Sequence, residues 1–522
     1  MNRPEMMERA LARTEPWDML IIGGGATGAG IAVDAASRGY QVLLLEQSDF
    51  GKGTSSRSTK LVHGGIRYLE QGNIPLVMEA LRERGILRQN APHLVSDLAF
   101  VVPRYDWWEA PFYGVGLKIY DLLAGKYGFG SSRLLSIDET LERLPTIKPD
   151  GLRGGIIYYD GQFDDTRLLI NLLQTAVDHG ASVLNYVQVT GLNKGPDGFI
   201  DGATARDMEA GSEFQVTANV VINATGAFSD TIRKMSDPSI QPMIKPSQGI
   251  HLVFDGSFLA GHSAIMVPHT ADGRVMFAIP WQGHTVVGTT DTPIDDVSLE
   301  PLPLPEEIDF ILETAGRYLH KVPTRNDVLS VFVGIRPLVG SGDTNSTAAL
   351  SRDHTIRIDD SGLLSIAGGK WTTYRRMAED CVNQAATLAR LPEKAAITEN
   401  LRIHGFHLEP KQFADLGVYG SDAFAIQRLI RDDPRLGKHL HPALSYCAAE
   451  VVWATRNEMA RTVEDVLARR TRALFLNAQA ASEMAANTAD IMASELNYDD
   501  AWKANQLASF HKLARQYSVL AL

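Results

Sequence analysis

Apolar positions in the first half of the chain fall into short unbroken runs separated by stripes at helical spacing. Met19–Ile22 and Val42–Leu45 are four-residue apolar runs. Runs of this length without polar alternation read as parallel strands buried on both faces. Residues 29–37 between them keep helical spacing, and Gly39 ends that helix. The same logic predicts a helix over 66–87, a strand at Ile156–Tyr159, a helix over Thr166–Asp178 and a strand over Val183–Val189. The alternation then changes. Phe199–Arg206 and Glu213–Thr217 read as antiparallel strands around a polar turn, before Val220–Ile222 runs into Asn-Ala-Thr-Gly. Plain NAD domains do not usually carry such a meander. Gly249–Phe254, Arg274–Trp281, His284–Asp291 and Val331–Val339 are β-like. Residues 362–380 repeat the opening order of strand, glycines and helix, with Lys370 at the junction. Residues 387–410 are linker-like, and beyond them the chain is Ala-rich and helical. Val452, Met459, Val463 and Val466 keep to one face there, while Thr462 with Asp465 forms a capping-box pattern that starts a new helix.

The stretch Asp18–Glu46 organises the rest. Gly23, Gly25 and Gly28 give the spacing G-x-G-x-x-G directly after a strand and at the start of a helix. The first glycine permits a tight turn, the second a close approach of a pyrophosphate, and the third close packing of helix on sheet. The helix start offers N–H groups and a positive dipole end to phosphate. Glu46 lies 18 residues beyond Gly28, near the spacing of about 20 at which a carboxylate accepts from ribose hydroxyls. No basic residue follows Glu46 directly to hold a 2′-phosphate, which disfavours NADP and leaves FAD or NAD.

Composition narrows the partners. The chain has 522 residues, 44% hydrophobic and 21% charged, with a net charge of -12. That size holds several domains, and the acidic balance disfavours nucleic acid. The two cysteines, Cys381 and Cys447, lie far apart. They exclude a disulfide framework and a cysteine-based metal site, and fit a reducing compartment. No metal is expected. The first 16 residues mix arginines with glutamates and lack an apolar core, unlike a secretory signal or an organelle presequence. No apolar run of 18 or more residues occurs, so no transmembrane helix is expected.

Three segments carry candidate chemistry. Residues 48–72 are rich in Gly, Ser and Thr, with Arg57, Lys60, His63 and Arg67 among them. Loops at the carboxyl ends of parallel strands bind ligands in open α/β sheets. Residues 98–129 crowd Trp107, Trp108, Phe112, Tyr113, Tyr120, Tyr127 and Phe129 with Arg104, Lys118 and Lys126. The segment is either a packed wall of a substrate domain or an interfacial amphipathic surface; Asp106 and Glu109 count against the latter. Arg469, Arg470 and Arg472 read as a solvated or salt-bridged face.

Together these segments resemble the FAD-dependent, quinone-linked glycerol-3-phosphate dehydrogenase family. IIGGGATGAGIAVDAASRG, TSSRSTKLVHGGIRYLE, DGQFDDTRL, VINATG, PWQGHTVVGTTDTP, GIRPLV and AGGKWTTYR occur in the family's order from residue 18 to about 380. The resemblance implies an α/β fold: a glutathione-reductase-like FAD domain (about 16–101, 151–243, 335–388) interleaved with a mixed or antiparallel-sheet substrate domain (about 102–150, 244–334). A linker (391–408) and an all-helical C-terminal domain (409–522) follow. It implies oxidation of sn-glycerol 3-phosphate to dihydroxyacetone phosphate by noncovalent FAD. Electrons pass to a membrane quinone from a peripheral, cytoplasm-facing position, and a homodimer is open.

Gly23, Gly25, Gly28 and Glu46 then hold the adenosine and pyrophosphate, and Val189 offers backbone to adenine. Ser55, Ser58, Gly65, Ala224, Gly226, Gly369 and Thr372 surround the ribityl chain or ring. Arg67, Arg336 and Lys370, with Arg274 behind them, are the phosphate clamps, a task suited to arginine's planar fork. His251 and His63 are the two candidate bases, since histidine titrates near neutrality. Tyr68 and Thr290 are candidate hydrogen-bond donors to substrate or flavin. An oxygen-using oxidase, a flavin-binding regulatory protein without turnover and an NAD-linked dehydrogenase are the competing readings.

Overall fold

A computed structural model describes residues 1–65, 73–105, 109–267, 270, 274–340 and 353–521. Arg67 and Tyr68 lie outside the described residues, as do Asp106, Trp107 and Trp108.

The apolar runs form a six-stranded sheet, ordered His354–Ile358, Leu364–Gly368, Val221–Asn223, Met19–Ile22, Val42–Leu45 and Ser182–Leu184. All neighbours are parallel except the first pair. Every residue of the two central runs is buried, which is why they lack polar alternation. The helix Ala26–Ser37 packs between Asp165–Asp178 and Tyr374–Leu388. A separate meander of Val187–Lys194, Ile200–Asp207 and Glu213–Thr217 sits where the pattern changes. The strand expected over 183–189 is two strands, parted at Tyr186, whose φ is 56°.

A ten-stranded, mostly antiparallel sheet forms the second layer. Its centre is Ile244–Asp255, paired with His284–Gly288 and along its whole length with Val328–Val339. The sheet crosses the domain division drawn from sequence. Val95–Pro103 and Gly155–Phe163 pair with each other inside it, although both fall mainly in segments assigned to the cofactor domain. Strand pairing over long sequence separation, invisible to local periodicity, decides that boundary.

The C-terminal region is helical, as expected, around one small hairpin, His439–His441 with Leu444–Cys447. The single helical face through Val452, Met459 and Val466 is instead interrupted. Ala448–Asn457 ends, Met459 takes a φ of 54°, and a π-helical turn starts at Asp465. The capping pattern marks that restart: the Thr462 N–H donates to Asp465 Oδ2 at 2.9 Å and the Asp465 N–H to Thr462 Oγ1 at 3.2 Å. Leu474, Phe475 and Met484 share one core with Val253, Val286 and Phe332 of the large sheet. Each such side chain contributes about 1.5–3 kcal/mol when fully buried, so the helical region braces the sheet from behind.

Candidate active site

One cavity of about 530 Å³ runs between the two large sheets. Its first end is built by the glycine loop. Gly23 has φ +113°, and a Cβ there would lie 2.6 Å from Ala224 O. The helix Ala26–Ser37 starts at Gly25, which offers no side-chain cap of its own, so the N–H groups of the first turn beyond Ala26 can face an anion. Ser55 Oγ accepts from the Ala26 N–H at 2.9 Å and holds the following loop against this turn. Glu46 ends the second strand with its carboxylate accepting from the Gly24 N–H at 2.7 Å and the Ser48 N–H at 2.9 Å. Burial pushes the Glu46 carboxyl upward against those two bonds. This cradle of N–H donors beside an acidic strand end fits a dinucleotide.

Gly25, Glu46, Ser55, Ser58, Gly65, Val189, Ala224, Gly226, Gly369 and Thr372 all line the cavity. Gly28 does not. A Cβ at Gly28 would lie 1.9 Å from Gly23 O, so this glycine packs helix against loop and holds the dinucleotide end only indirectly.

The other end collects charge and imidazole. His63, His251, Arg274, Arg336 and Lys370 line the same cavity, although they are drawn from two loops, two strands and the third strand–helix junction. Arg336 projects from Val328–Val339. Its guanidinium donates to Thr290 O at 2.9 Å, Asp291 Oδ1 at 3.2 Å, and Gln248 O and Thr289 Oγ1 at 3.3 Å. These bonds fix the plane of the fork. Lys370 follows Gly368 and Gly369, both at positive φ, where the last strand turns into a helix.

Thr290 also borders the cavity, but its hydroxyl faces inward. Oγ1 donates to Glu307 Oε1 at 2.8 Å and accepts from the Ile250 N–H at 3.0 Å. The expected donation to substrate or flavin therefore passes to other groups, and Thr290 contributes its carbonyl to Arg336.

The histidines differ. His63 is half-buried, its N–H donates to Thr372 Oγ1 at 3.2 Å, and its ring meets Phe277 edge-on at 6.4 Å. His251 is buried, stacked on Phe332 and 2.9 Å from Thr59 Oγ1 through Nε2. Burial first, then the charges of Lys60 and Arg336, push His251 well below the usual histidine range, which favours the neutral ring over the imidazolium.

Sequence reasoning assigned no role to Thr59 or Lys60. Lys60 is fully buried, donates to Asp165 Oδ2 at 2.6 Å and Ser56 O at 2.9 Å, and lies 5.0 Å over the Phe332 ring. Burial lowers its ammonium to about 8 against the pull of Asp165. The only signal of this in the sequence was a lysine among small polar residues, which reads as a solvated loop.

Such an arrangement joins a dinucleotide cradle to a cationic pocket holding a buried imidazole. The chain matches the FAD dependent oxidoreductase model over residues 18–375 and the model for the C-terminal domain of alpha-glycerophosphate oxidase over 363–503. It is 42% identical over 528 residues to a probable mitochondrial glycerol-3-phosphate dehydrogenase of Caenorhabditis elegans, covering 95% of this chain and 73% of that protein. The human mitochondrial glycerol-3-phosphate dehydrogenase is 41% identical over 536 residues, covering 96% and 74%. Among solved structures, glycerol-3-phosphate dehydrogenase from Bacillus halodurans, complexed with FAD, superposes with a TM-score of 0.81 at 30% identity, covering 99% and 97%. L-alpha-glycerophosphate oxidase from Mycoplasma pneumoniae, at 18% identity and a TM-score of 0.58, shares the fold. On a match that spans both halves of the cavity and the helical region behind it, the chain belongs to the FAD-dependent glycerol-3-phosphate dehydrogenase family.

Proposed function

We propose that this enzyme oxidises sn-glycerol 3-phosphate to dihydroxyacetone phosphate with noncovalently held FAD. It passes the electrons to a membrane quinone from a peripheral position on the cytoplasmic face. The observation that carries the substrate reading is the convergence of Arg274, Arg336 and Lys370 with two imidazoles on the cavity that the glycine loop opens. Arg336 and Lys370 grip the phosphate, with Arg274 beside them, and His251 is the base that drives deprotonation of the secondary hydroxyl. The flavin, when bound, supplies acceptance of the hydride. The protein's share is orientation, charge and the exclusion of water.

Support for the peripheral position comes from exposed apolar side chains on elements that pack together. These are Ile74 and Met78 on Ile74–Asn90, Ile119 and Leu122 on Glu109–Ala124, and Leu134 on Arg133–Leu135. Leu122 is 80% exposed, and Lys118 and Arg133 stand close by in the chain with exposed side chains. Apolar groups beside cations suit a headgroup boundary. No helix among the described residues is long and apolar enough to cross a membrane.

Anaerobic mixing of the holoenzyme with glycerol 3-phosphate tests the substrate: the flavin absorbance should bleach, and an unchanged spectrum refutes this reading. Reoxidation should then be faster with a short-chain quinone than with oxygen. The reverse order identifies an oxidase, and slow reoxidation by both removes the quinone assignment.

A further inference from the structure

We propose that Thr59 is a catalytic residue whose hydroxyl takes the proton from the substrate's secondary alcohol while handing its own to Nε2 of His251. This rests on reading the cavity as the site of glycerol 3-phosphate oxidation.

The geometry of His251 is the starting point. The imidazole is 3% exposed and lies on Phe332 with ring centres 4.8 Å apart and planes at 13°. Its Cδ2 edge abuts Gly288 on the paired strand, where a Cβ would sit only 2.3 Å from Cδ2. Held on a face and an edge, the ring cannot swing out to meet a ligand. Nδ1 is buried and has no hydrogen-bond partner among the described residues. Nε2 makes the ring's hydrogen bond, at 2.9 Å, to Thr59 Oγ1. Both His251 and Thr59 line the cavity, and the hydroxyl is the polar group on the cavity wall that touches Nε2.

Thr59 faces both ways. It is half-buried and lines the cavity. Its neighbours are pinned: Ser58 Oγ donates to Asp165 Oδ2 at 2.7 Å, and Lys60 Nζ donates to the same oxygen at 2.6 Å. Arg472, reaching in from the helical region, donates to Ser56 O at 2.6 Å and pairs with Asp165. The threonine therefore sits on a segment anchored on either side. A hydroxyl donates one hydrogen bond and accepts two, so it can accept from the carbinol while donating to the imidazole.

The step balances. The carbinol O–H bond breaks and its proton bonds to Thr59 Oγ1. The original Thr59 O–H bond breaks and that proton bonds to His251 Nε2, leaving a neutral threonine and an imidazolium. The electron pair of the C–H bond would leave as hydride, which FAD, when bound, would accept, and the carbon would become the carbonyl. Burial first, and then Lys60 and Arg336, disfavour the imidazolium before substrate arrives. A phosphate dianion gripped by Arg336 opposes that field, so basicity rises when the substrate is in place.

The test is anaerobic stopped-flow reduction of holoenzyme by glycerol 3-phosphate, with substrate affinity measured separately by calorimetry. Thr59→Val, which keeps the shape and removes the hydroxyl, should slow flavin reduction by about 100-fold, in the range of general acid–base catalysis. Affinity should fall by only about 2- to 10-fold, the loss of one neutral hydrogen bond to the carbinol. Thr59→Ser should recover most of the rate. His251→Gln should be slow, and the Thr59→Val/His251→Gln double variant should be no slower than the slower single variant, because the two groups act in series. The relay is overturned if Thr59→Val reduces within about threefold of the parent, if Thr59→Ser is as slow as Thr59→Val, or if the two losses multiply. A parent enzyme that glycerol 3-phosphate does not bleach would instead refute the substrate reading.

Discussion

Arg336 and Arg470 each follow an apolar stretch in the sequence, yet the fold puts them to opposite uses. Arg336 stands at the cavity with its side chain 25% exposed, its fork steadied by carbonyls, a hydroxyl and one carboxylate. Arg470 is fully buried between the helical region and the glycine-loop domain, paired with both oxygens of Asp49 at 2.7 and 2.8 Å. Arg469 meets the same carboxylate, and Arg167 pairs with Glu458 nearby. Burial pushes the Asp49 carboxyl up, but Arg470 and Arg469 together outweigh it and hold it far below the usual range. One cationic set keeps access to the cavity; the other is saturated by buried anions. The expected salt-bridged face of Arg469, Arg470 and Arg472 is salt-bridged but not solvated, and it fastens the helical region to the loop that follows Glu46.

This contrast can be broken from either side. The largest effect should come from Asp49→Asn, which leaves two buried guanidiniums facing an amide. Removing one partner of a buried pair costs about 3–5 kcal/mol. Chemical denaturation should show that loss, with the flavin released early in the transition. Retention of full stability would mean that water reaches the cluster.

Arg336→Lys should act on catalysis instead. A lysine cannot reproduce the planar fork, and losing one charge-assisted bond of about 1.5–3 kcal/mol should lower kcat/KM by about 10- to 100-fold. The denaturation midpoint should move little. Unchanged kinetics would remove Arg336 from the phosphate site.

The histidines sharpen the same point through pH. Unlike His251, His404 lies between Asp178 at 2.7 Å and Asp422 at 3.1 Å. Burial lowers its pKa, but those two hydrogen bonds win and raise it to about 9. A group whose folded pKa exceeds its unfolded value stabilises fully below the latter. The contribution of His404 should thus be complete below about pH 6.5 and fade as pH rises through 9. His404→Gln should be less stable than the parent by about 1–2 kcal/mol at pH 6, a gap that closes by pH 10. A gap independent of pH would refute the ion pair. The smallest effect belongs to Arg317→Ala, whose pair with Glu313 is exposed on both sides. It should change stability by less than about 0.5 kcal/mol and leave turnover untouched.

Much of the cofactor end was legible because it is local. Strand, G-x-G-x-x-G, helix and acid lie within 29 residues, and each part's role follows from its neighbours. The antiparallel sheet was legible as strands but not as a boundary, since Gly155–Phe163 finds its partners only in three dimensions. Arg336 and Lys370 were found through motif resemblance, not through periodicity. Thr59 escaped notice and Lys60 was given no role of its own, because their significance lies in His251 and Asp165, which are 192 and 105 residues away. Thr290 misled because a hydroxyl near a strand end carries no mark of which way it points.

The sequence by itself determined the parallel core, the dinucleotide turn and the helical C-terminal region, because these depend on short-range spacing and on apolar runs that have one place to go; the family was carried by the resemblance of its motifs. Only the tertiary structure decided which cations face the cavity and which neutralise buried carboxylates. It also decided that His251 is buried while His63 is half-buried, and that Gly28 packs while Gly25 borders the cavity. Those outcomes depend on the dielectric around each group and on partners brought together across hundreds of residues, and no stretch of chain carries either quantity.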